Sequence, residues 1–396
     1  HNILFLGLRG QAKTRMARQM MDLLDEYIPV VAGSEVNDDP LKPFSKYAID
    51  IIAELGDKTP IQWLHRSERY GEKLATPDVS VADLIGDIDP IKAANLKLSF
   101  SDEKVIHYGI IPRSNRGIFV INELPDLQAR IQVSLFNILQ EGDIQIRGFK
   151  LRMPLDILFV FTANPEDYTN RGSIVTPLKD RIQSQILTHY PKSIETSLMI
   201  TEQEAKINDA QKKLVNISDL VKRLVEQVAF EARSNEYVDK KSGVSARLTI
   251  AAFENAVSSA ERRAIMHNEK STQVWISDLT GIIPSITGKI ELVYEGEQEG
   301  PYEVALNLLN KSIRNQFVQY FPNPELSKKR KANKKNSEEP AVENPYKLIT
   351  AWFDAGNHLD LFLDMKDADK IASLYKVDGL YGVVKKHYPH ANETES

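Results

Sequence analysis

The chain has 396 residues, of which 42% are hydrophobic and 27% are charged, and its formal net charge is -5. This length and composition predict two or three packed domains without a membrane span, and the small, mixed charge excludes nucleic-acid binding by overall charge alone. The sequence contains no cysteine, which excludes disulfides, thiolate metal sites and a cysteine nucleophile and fits a reducing, cytoplasmic setting.

Residues 1–190 alternate short apolar runs with amphipathic stretches, a pattern typical of an α/β core around a mainly parallel sheet. The predicted strands are Ile3–Leu6, a short strand near Val30–Val31, Gly117–Ile121, Ile157–Phe161 and Gln185–His189. Because the chain opens at His1 and enters an apolar run at once, we also expect the natural protein to have residues upstream of His1.

The remainder of the chain has helical spacing with few strand signals. We expect a helical lid over 191–270 and a mixed α/β extension over 271–323, with a strand at Lys289–Tyr294 and a helix at Tyr302–Phe317. A charged linker is predicted over 324–345, where prolines and charges occur without apolar periodicity. A small helical module is predicted over 346–396.

A glycine-bearing loop, Gly7-Leu8-Arg9-Gly10-Gln11-Ala12-Lys13-Thr14, directly follows the first predicted strand and precedes an amphipathic helix. This order is that of a phosphate-binding loop, in which backbone N–H groups surround the β-phosphate of a nucleotide. In such a loop Lys13 neutralises charge on the β- and γ-phosphates, and the Thr14 hydroxyl ligates Mg²⁺. Ala12 stands where the common pattern has glycine; alanine is tolerable there if its φ is negative, and its methyl group is small enough to keep the backbone close to phosphate. The predicted nucleotide-binding residues of the loop are Gly7, Gly10, Gln11, Ala12, Lys13 and Thr14.

Two polar residues, Asn122 and Glu123, follow the predicted strand Gly117–Ile121. This position places them at the sheet edge where ligands bind in α/β folds. In nucleotide hydrolases of this kind the pair is usually Asp-Glu; the first residue orients Mg²⁺ through water, and the second polarises the attacking water. Asn122 can accept a hydrogen bond from a Mg²⁺-bound water but brings no charge, so we expect weaker metal binding, with Glu123 as general base. A strand end with a helix-capping asparagine is the alternative.

Two further candidate residues follow along the chain. Asn164 ends the predicted strand Ile157–Phe161 and can hold the attacking water or sense the γ-phosphate, although Asn-Pro is also a common turn. Arg181 precedes the last predicted core strand, where an arginine can reach the nucleotide of a neighbouring subunit. A surface ion pair of Arg181 with Asp180 is the alternative.

These elements, in this order, resemble the AAA+ family, and they look most like its magnesium-chelatase I subunit and MoxR branch. The resemblance covers about residues 2–270 and is carried by Gly7–Thr14, Arg116–Glu123, Phe161–Glu166, Leu178–Arg181 and Val244-Ser245-Ala246-Arg247. It implies a P-loop AAA+ core with a helical lid, in which Arg247 is the lid arginine that senses the nucleotide. It also implies ATP and Mg²⁺ as cofactors, a homo-oligomeric ring, expected to be a hexamer, and a protein partner with a von Willebrand A domain.

Two segments are predicted as insertions into this core. Residues 141–153 alternate around a central Gly-Phe and are interpreted as a β-hairpin, similar to the insert that faces the ring centre in this branch, or as a plain surface hairpin. The longer segment Val36–Lys92 contains Asp87 and Asp89, which suggest a metal. Asp89-Pro90 before a helical pattern is more simply a helix cap, which we favour.

Three functions are compatible with these features. The first is an ATP-hydrolysing ring that remodels or loads a protein partner, and the second is an ATP-gated assembly scaffold whose hydrolysis is slow because of Asn122. The third is a nucleic-acid motor, suggested by six basic residues among 328–335 and by the hairpin residues Arg147, Lys150 and Arg152. It is disfavoured, because basic residues on a disordered linker more often serve solubility. The loop Gly-Ala-Phe-Thr-Gly-Ala, with which sigma-54 activators contact polymerase, is absent from the sequence.

Overall fold

The computed structural model describes residues 1–99, 102–146, 152–165, 172–324 and 344–388. The chain divides into two compact units, His1–His189 and Tyr190–Ser396. The first unit contains a five-stranded sheet with helices, and the second is mostly helical. The finer boundaries expected within the second part, at 270, 323 and 345, stay a prediction.

Five parallel strands form the central sheet of the first unit. In chain order they are β1 (Ile3–Leu6), β2 (Tyr70–Leu74), β3 (Gly117–Asn122), β4 (Ile157–Ala163) and β5 (Ser184–Leu187). They lie in the order β5–β1–β4–β3–β2. The parallel five-stranded sheet with flanking helices is therefore confirmed.

One predicted strand of the core occupies a different place. Tyr27–Val31 is a strand, but it pairs antiparallel with Ile61–His65 outside the central sheet. The fifth place belongs to β2, which the sequence interpretation had placed inside the insertion Val36–Lys92. Strand β2 lies at the sheet edge and is only half-buried, so its residues Tyr-Gly-Glu-Lys-Leu include polar ones and give no apolar run.

Successive side chains of the central strands pack into two different apolar cores, one on each face of the sheet. Phe119 and Phe159 belong to the larger core, and their rings meet edge to face with centroids 6.1 Å apart. Ile118, Val120 and Val160 belong to the core on the other face. Since side chains alternate along a strand, this division shows that both faces of the sheet are covered, which explains the continuous apolar runs of β3 and β4.

The helices of the first unit are short. They are Lys13–Gln19, Lys46–Leu55, Val81–Leu84, Pro90–Leu96, Ile110–Arg113, Ala129–Ser134, Phe136–Glu141 and Thr176–Asp180. The Asp89 side chain accepts hydrogen bonds from the backbone N–H groups of Ile91 and Lys92, with Pro90 at the first helical position, so the interpretation of Asp89 as a helix cap is confirmed.

In the described part of the first unit, three small antiparallel strand pairs accompany the central sheet, namely Tyr27–Val31 with Ile61–His65, Gly86–Ile88 with Ile106–Tyr108, and Asp143–Ile144 with Met153–Pro154. The last pair forms the base of the segment interpreted as a hairpin. Its centre, 147–151, with Arg147 and Lys150, lies outside the described residues.

The second unit is built around two long helices, Asp219–Ser234 and Arg247–His267, which share one apolar core. Its described residues also form the helices Ile194–Glu204, Asp209–Leu214, Ile283–Thr287, Tyr294–Glu299, Pro301–Tyr320, Lys347–Asp354, Asp367–Leu374 and Leu380–His387, the 3-10 helix Ile276–Ile282, and the paired strands Val215–Asn216 and Thr272–Gln273. Within the described part of the chain, no helix has the length and apolar character needed to cross a membrane.

The strand predicted at Lys289–Tyr294 is wrong. Only Leu292 makes a bridge in this segment, to Val238, while Ile290 is buried in the helical core. Tyr294 is already the first residue of a helix, whose first turn carries two glutamates that favour the positive end of the helix dipole. The helix predicted at Tyr302–Phe317 is present and extends over Pro301–Tyr320.

A buried arginine holds the C-terminal helices of the second unit in place. The side chain of Arg263, 2% exposed, forms ion pairs with Asp278 at 3.0 Å and with Asp367. Asp367 starts the helix Asp367–Leu374, and its carboxylate also accepts a hydrogen bond from the Trp275 indole at 2.8 Å. One carboxylate thus connects the helix Asp367–Leu374 to the long helix that carries Arg263.

Asp367→Ala should lower the free energy of unfolding of this unit by about 3 kcal/mol, because it removes one partner of a buried ion pair. Asp369→Ala, on the same helix but exposed, should change it by no more than about 0.5 kcal/mol. Denaturant titrations followed by circular dichroism would measure both. Equal stability of the two variants would contradict an anchoring role for Asp367.

Candidate functional site

The loop Gly7–Thr14 connects β1 to the helix Lys13–Gln19, as its pattern predicts. A Cβ atom at Gly7 would lie 2.0 Å from the Thr188 hydroxyl and 2.2 Å from the Gln11 amide oxygen, so the position admits no side chain. Gln11 accepts a hydrogen bond from Thr188 at 2.6 Å, which ties the loop to the end of β5. Gly10 has φ of 69°, the left-handed conformation that glycine adopts without strain.

Ala12 does not have the negative φ that would make alanine easily tolerable at this position. Its φ is 59° and its ψ is 18°, the left-handed conformation of the glycine that usually stands there. The chain must turn sharply here because the carbonyl of Ala12 already accepts the first helical hydrogen bond, from Met16. A left-handed alanine costs roughly 1–2 kcal/mol, so the loop stores strain at this residue.

Lys13 is buried, and its ammonium group lies at the centre of the site. It donates hydrogen bonds to the carbonyl oxygen of Leu8 at 2.9 Å and to the amide oxygen of Asn164 at 2.6 Å. A buried ammonium beside a glycine-bearing loop suits a phosphate group, because its positive charge compensates the negative charge of the phosphate.

The Asn122 side chain is buried beside Thr14. Its amide oxygen accepts hydrogen bonds from the hydroxyls of Thr14 at 3.3 Å and Thr162 at 3.0 Å. The two residues predicted to hold Mg²⁺ therefore contact each other in the folded chain. Asn122 does not cap a helix, so the capping alternative is wrong for this residue.

Glu123 and Asn164 also lie together. The Asn164 amide nitrogen donates to a Glu123 carboxylate oxygen at 3.2 Å, while its amide oxygen accepts from Lys13. Glu123 has φ of 55° and ψ of 50°, a left-handed conformation that is rare for glutamate and occurs mostly at functional sites. Its backbone N–H donates to the Thr162 hydroxyl at 3.1 Å, which fixes this turn at the end of β3.

Glu72, on β2, is a residue of the site that sequence analysis missed. Its carboxylate accepts a hydrogen bond from the Asn122 amide nitrogen at 2.7 Å and two from the Arg18 guanidinium, at 2.8 and 2.9 Å. The hydrogen bonds from Arg18, and then one from Tyr70, hold the pKa of the Glu72 carboxyl below its usual range, so it is ionised at neutral pH. No sequence motif identifies Glu72 as a site residue, because it lies in an edge strand whose polar residues give no strand signal.

The sequence also predicted nucleotide-related roles for two arginines. Arg181 donates hydrogen bonds to Gln140 at 3.0 Å and to the carbonyl of Pro177, and it stacks over the Phe136 ring. Arg247 is the first residue of the helix Arg247–His267 in the second unit. The roles of Arg181 and Arg247 toward a nucleotide stay predictions.

The residues of the first unit fit a nucleotide with Mg²⁺. Lys13 offers a buried positive charge next to a glycine-bearing loop, and Thr14 and Asn122 offer the oxygen atoms that Mg²⁺ and its water ligands prefer. Glu123 offers a carboxylate close to the same place. This fit rests on the chemistry of the donor set, which contains no soft ligand.

Comparisons with known proteins give partial matches. The family description Sigma-54 interaction domain matches residues 95–186. The magnesium-chelatase 38 kDa subunit of Cereibacter sphaeroides is 26% identical over 51% of this chain and 56% of its own length. The corresponding subunit of Rhodobacter capsulatus is 25% identical over 50% of this chain and 51% of its own. The chain thus spans about half the length of these curated relatives.

Among solved structures, one similar chain comes from a complex between the BchI and BchD subunits of magnesium chelatase. It is 20% identical, with a TM-score of 0.39, over 75% of this chain and 90% of its own. NtrX from Brucella abortus with ADP is 12% identical, with a TM-score of 0.40, over 80% of this chain and 58% of its own.

The order of the five parallel strands, the loop after β1 and the polar pair at the end of β3 agree with the resemblance stated from the motifs. The sequence matches to the chelatase subunits and to the Sigma-54 domain agree with it as well. The fold and these sequence matches together support an AAA+ ATPase of the magnesium-chelatase I subunit and MoxR type.

Proposed function

We propose that this chain binds ATP with Mg²⁺, hydrolyses it in a ring of identical subunits, expected to be a hexamer, and uses the ring motion to remodel or load a protein partner. The proposal rests on two hydrogen bonds of the Asn164 side chain, one with Lys13 and one with Glu123. Through them, the lysine expected to bind phosphate and the candidate general base lie at the same place. A partner with a von Willebrand A domain is part of this proposal, on family grounds alone.

The side chains divide the chemistry among them. Lys13 would compensate negative charge on the phosphates, while the oxygen atoms of Thr14 and Asn122 would hold the metal and its water. Glu123 would accept the proton of the attacking water, and Asn164 would orient its carboxylate. Mg²⁺, when bound, supplies Lewis-acid polarisation of the phosphoryl oxygens.

A second candidate function is an ATP-gated scaffold that assembles but hydrolyses slowly. The neutral Asn122 favours it, because a motif without the usual carboxylate binds Mg²⁺ less tightly. The rate of steady-state ATP hydrolysis separates the two candidates, since a scaffold would assemble with ATP at a turnover far below the ~1 s⁻¹ at the low end of typical enzymes.

Lys13→Ala should weaken ATP binding at least ~100-fold, equal to about 2.7 kcal/mol, because it removes the buried positive charge beside the phosphates. Lys104→Ala, which loses only an exposed ion pair with Asp50, should bind ATP as the unmodified chain does. Equilibrium binding of a fluorescent ATP analogue measures both. Unchanged affinity of Lys13→Ala would refute the assignment of the loop.

Glu123→Gln should keep ATP binding and assembly but lose at least ~10²-fold in turnover, the usual size of a general-base contribution. The matched control is Glu54→Gln, an exposed glutamate on the helix Lys46–Leu55. Phosphate release at saturating ATP measures the rate, and near-normal turnover of Glu123→Gln would assign water activation to another residue.

Arg181→Ala should impair hydrolysis far more than binding if Arg181 acts on a neighbouring subunit. A mixture of inactive Glu123→Gln and inactive Arg181→Ala chains should then regain part of the activity, because some interfaces combine an intact Glu123 with an intact Arg181. Phosphate release from rings shown to contain both variants measures the recovery. No recovery would exclude action in trans and leave Arg171, which lies outside the described residues, as the candidate.

A further inference from the structure

The orientation of the Asn122 amide follows from its neighbours. A carboxylate accepts hydrogen bonds and donates none, so the amide NH₂ group must face Glu72, at 2.7 Å. The amide oxygen therefore faces the Thr14 hydroxyl, at 3.3 Å, on the side where Mg²⁺ is expected. Only the Asn122 amide group thus separates the Glu72 carboxylate from the Thr14 hydroxyl, which is expected to bind the metal.

Glu72 is itself held firmly. Arg18 binds both of its carboxylate oxygens, at 2.8 and 2.9 Å, and the Tyr70 hydroxyl donates to one of them at 3.1 Å. The Arg18 side chain is 63% exposed, whereas that of Glu72 is 22% exposed. Solvent therefore screens the positive charge of Arg18 more than the negative charge that faces Asn122.

We propose that Glu72 supplies the negative charge that Asn122 lacks, acting through the Asn122 amide as a positioning residue for Mg²⁺. The contact turns the amide oxygen toward Thr14, and it polarises the amide so that this oxygen binds a metal-bound water more strongly. This inference rests on the proposed function, and it replaces the expectation of weak metal binding at Asn122.

A purely structural ion pair between Arg18 and Glu72 is the competing explanation. Such a pair would connect the helix Lys13–Gln19 to β2 and would need only the two hydrogen bonds from Arg18. It does not account for the third contact, to a buried amide whose other end touches Thr14. The two explanations differ in whether Glu72 affects Mg²⁺ binding.

Glu72→Gln keeps the shape and an acceptor for the Asn122 amide but removes the charge. It should raise the Mg²⁺ concentration for half-maximal binding of a slowly hydrolysed ATP analogue at least ~10-fold, the usual effect of losing an outer-shell partner of a metal ligand. Binding of the analogue without Mg²⁺ should stay unchanged. The control Glu35→Gln breaks another surface ion pair of the same unit, with Lys92, and should leave the Mg²⁺ requirement as it is.

The decisive comparison repeats Glu72→Gln in the Asn122→Asp background. In that background the residue at position 122 carries a negative charge of its own. Glu72→Gln should then change the Mg²⁺ concentration for half-maximal binding less than ~2-fold, which is the error expected when the effects of independent mutations are added. It should also raise the thermal stability of the nucleotide-free protein, because Asn122→Asp alone places two carboxylates in contact. The new amide at 72 can donate to the new carboxylate at 122.

An unchanged Mg²⁺ requirement in Glu72→Gln would overturn the inference, and so would an equal increase in both backgrounds, which would make the effect independent of Asn122. These results differ from a failure of the proposed function. In that case the unmodified chain would not bind the ATP analogue at all, with or without Mg²⁺.

Discussion

The parallel register of β1, β4 and β3 is the constraint on which the candidate site depends. Leu6 pairs with Ala163 at the ends of β1 and β4, and β4 pairs in the same direction with β3. The residues that follow the strand ends therefore meet at one edge of the sheet, which brings Lys13 to Asn164 across 151 residues of chain and Asn164 to Glu123 across 41. Apolar cores cover both faces of the sheet, so the strands that carry this edge are packed on both sides.

Two non-glycine residues of the site, Ala12 and Glu123, have the left-handed conformation. Each costs roughly 1–2 kcal/mol, and each is held by its surroundings: the carbonyl of Ala12 begins the helix after the loop, and the N–H of Glu123 is bonded to Thr162. The strain thus coincides with the two places where the backbone must turn sharply to present N–H groups or a carboxylate. The packed sheet supplies the stability that maintains this arrangement.

Charge in the site is distributed over separate strands. The ammonium of Lys13 follows β1, the carboxylate of Glu123 follows β3, and a second carboxylate, that of Glu72, reaches the buried amide of Asn122 from β2. Arg181 is occupied with Gln140 and the face of an aromatic ring. Phosphoryl transfer spreads negative charge over the transferred group, so the proposed arginine from another subunit would add to the charge of Lys13.

The sequence by itself determined the elements whose signals are local. The loop after the first strand, the apolar runs of β3 and β4 and the cap at Asp89 could be predicted, because glycines, alternation and capping residues act over a few positions. Tertiary structure decided the features that depend on distant neighbours. Edge strand β2 lacks an apolar run because one side of it is exposed, and the left-handed φ of Ala12 comes from the turn into the helix. The contact of Glu72 with Asn122 exists only because β2 and β3 lie side by side, a pairing set by packing of the whole sheet.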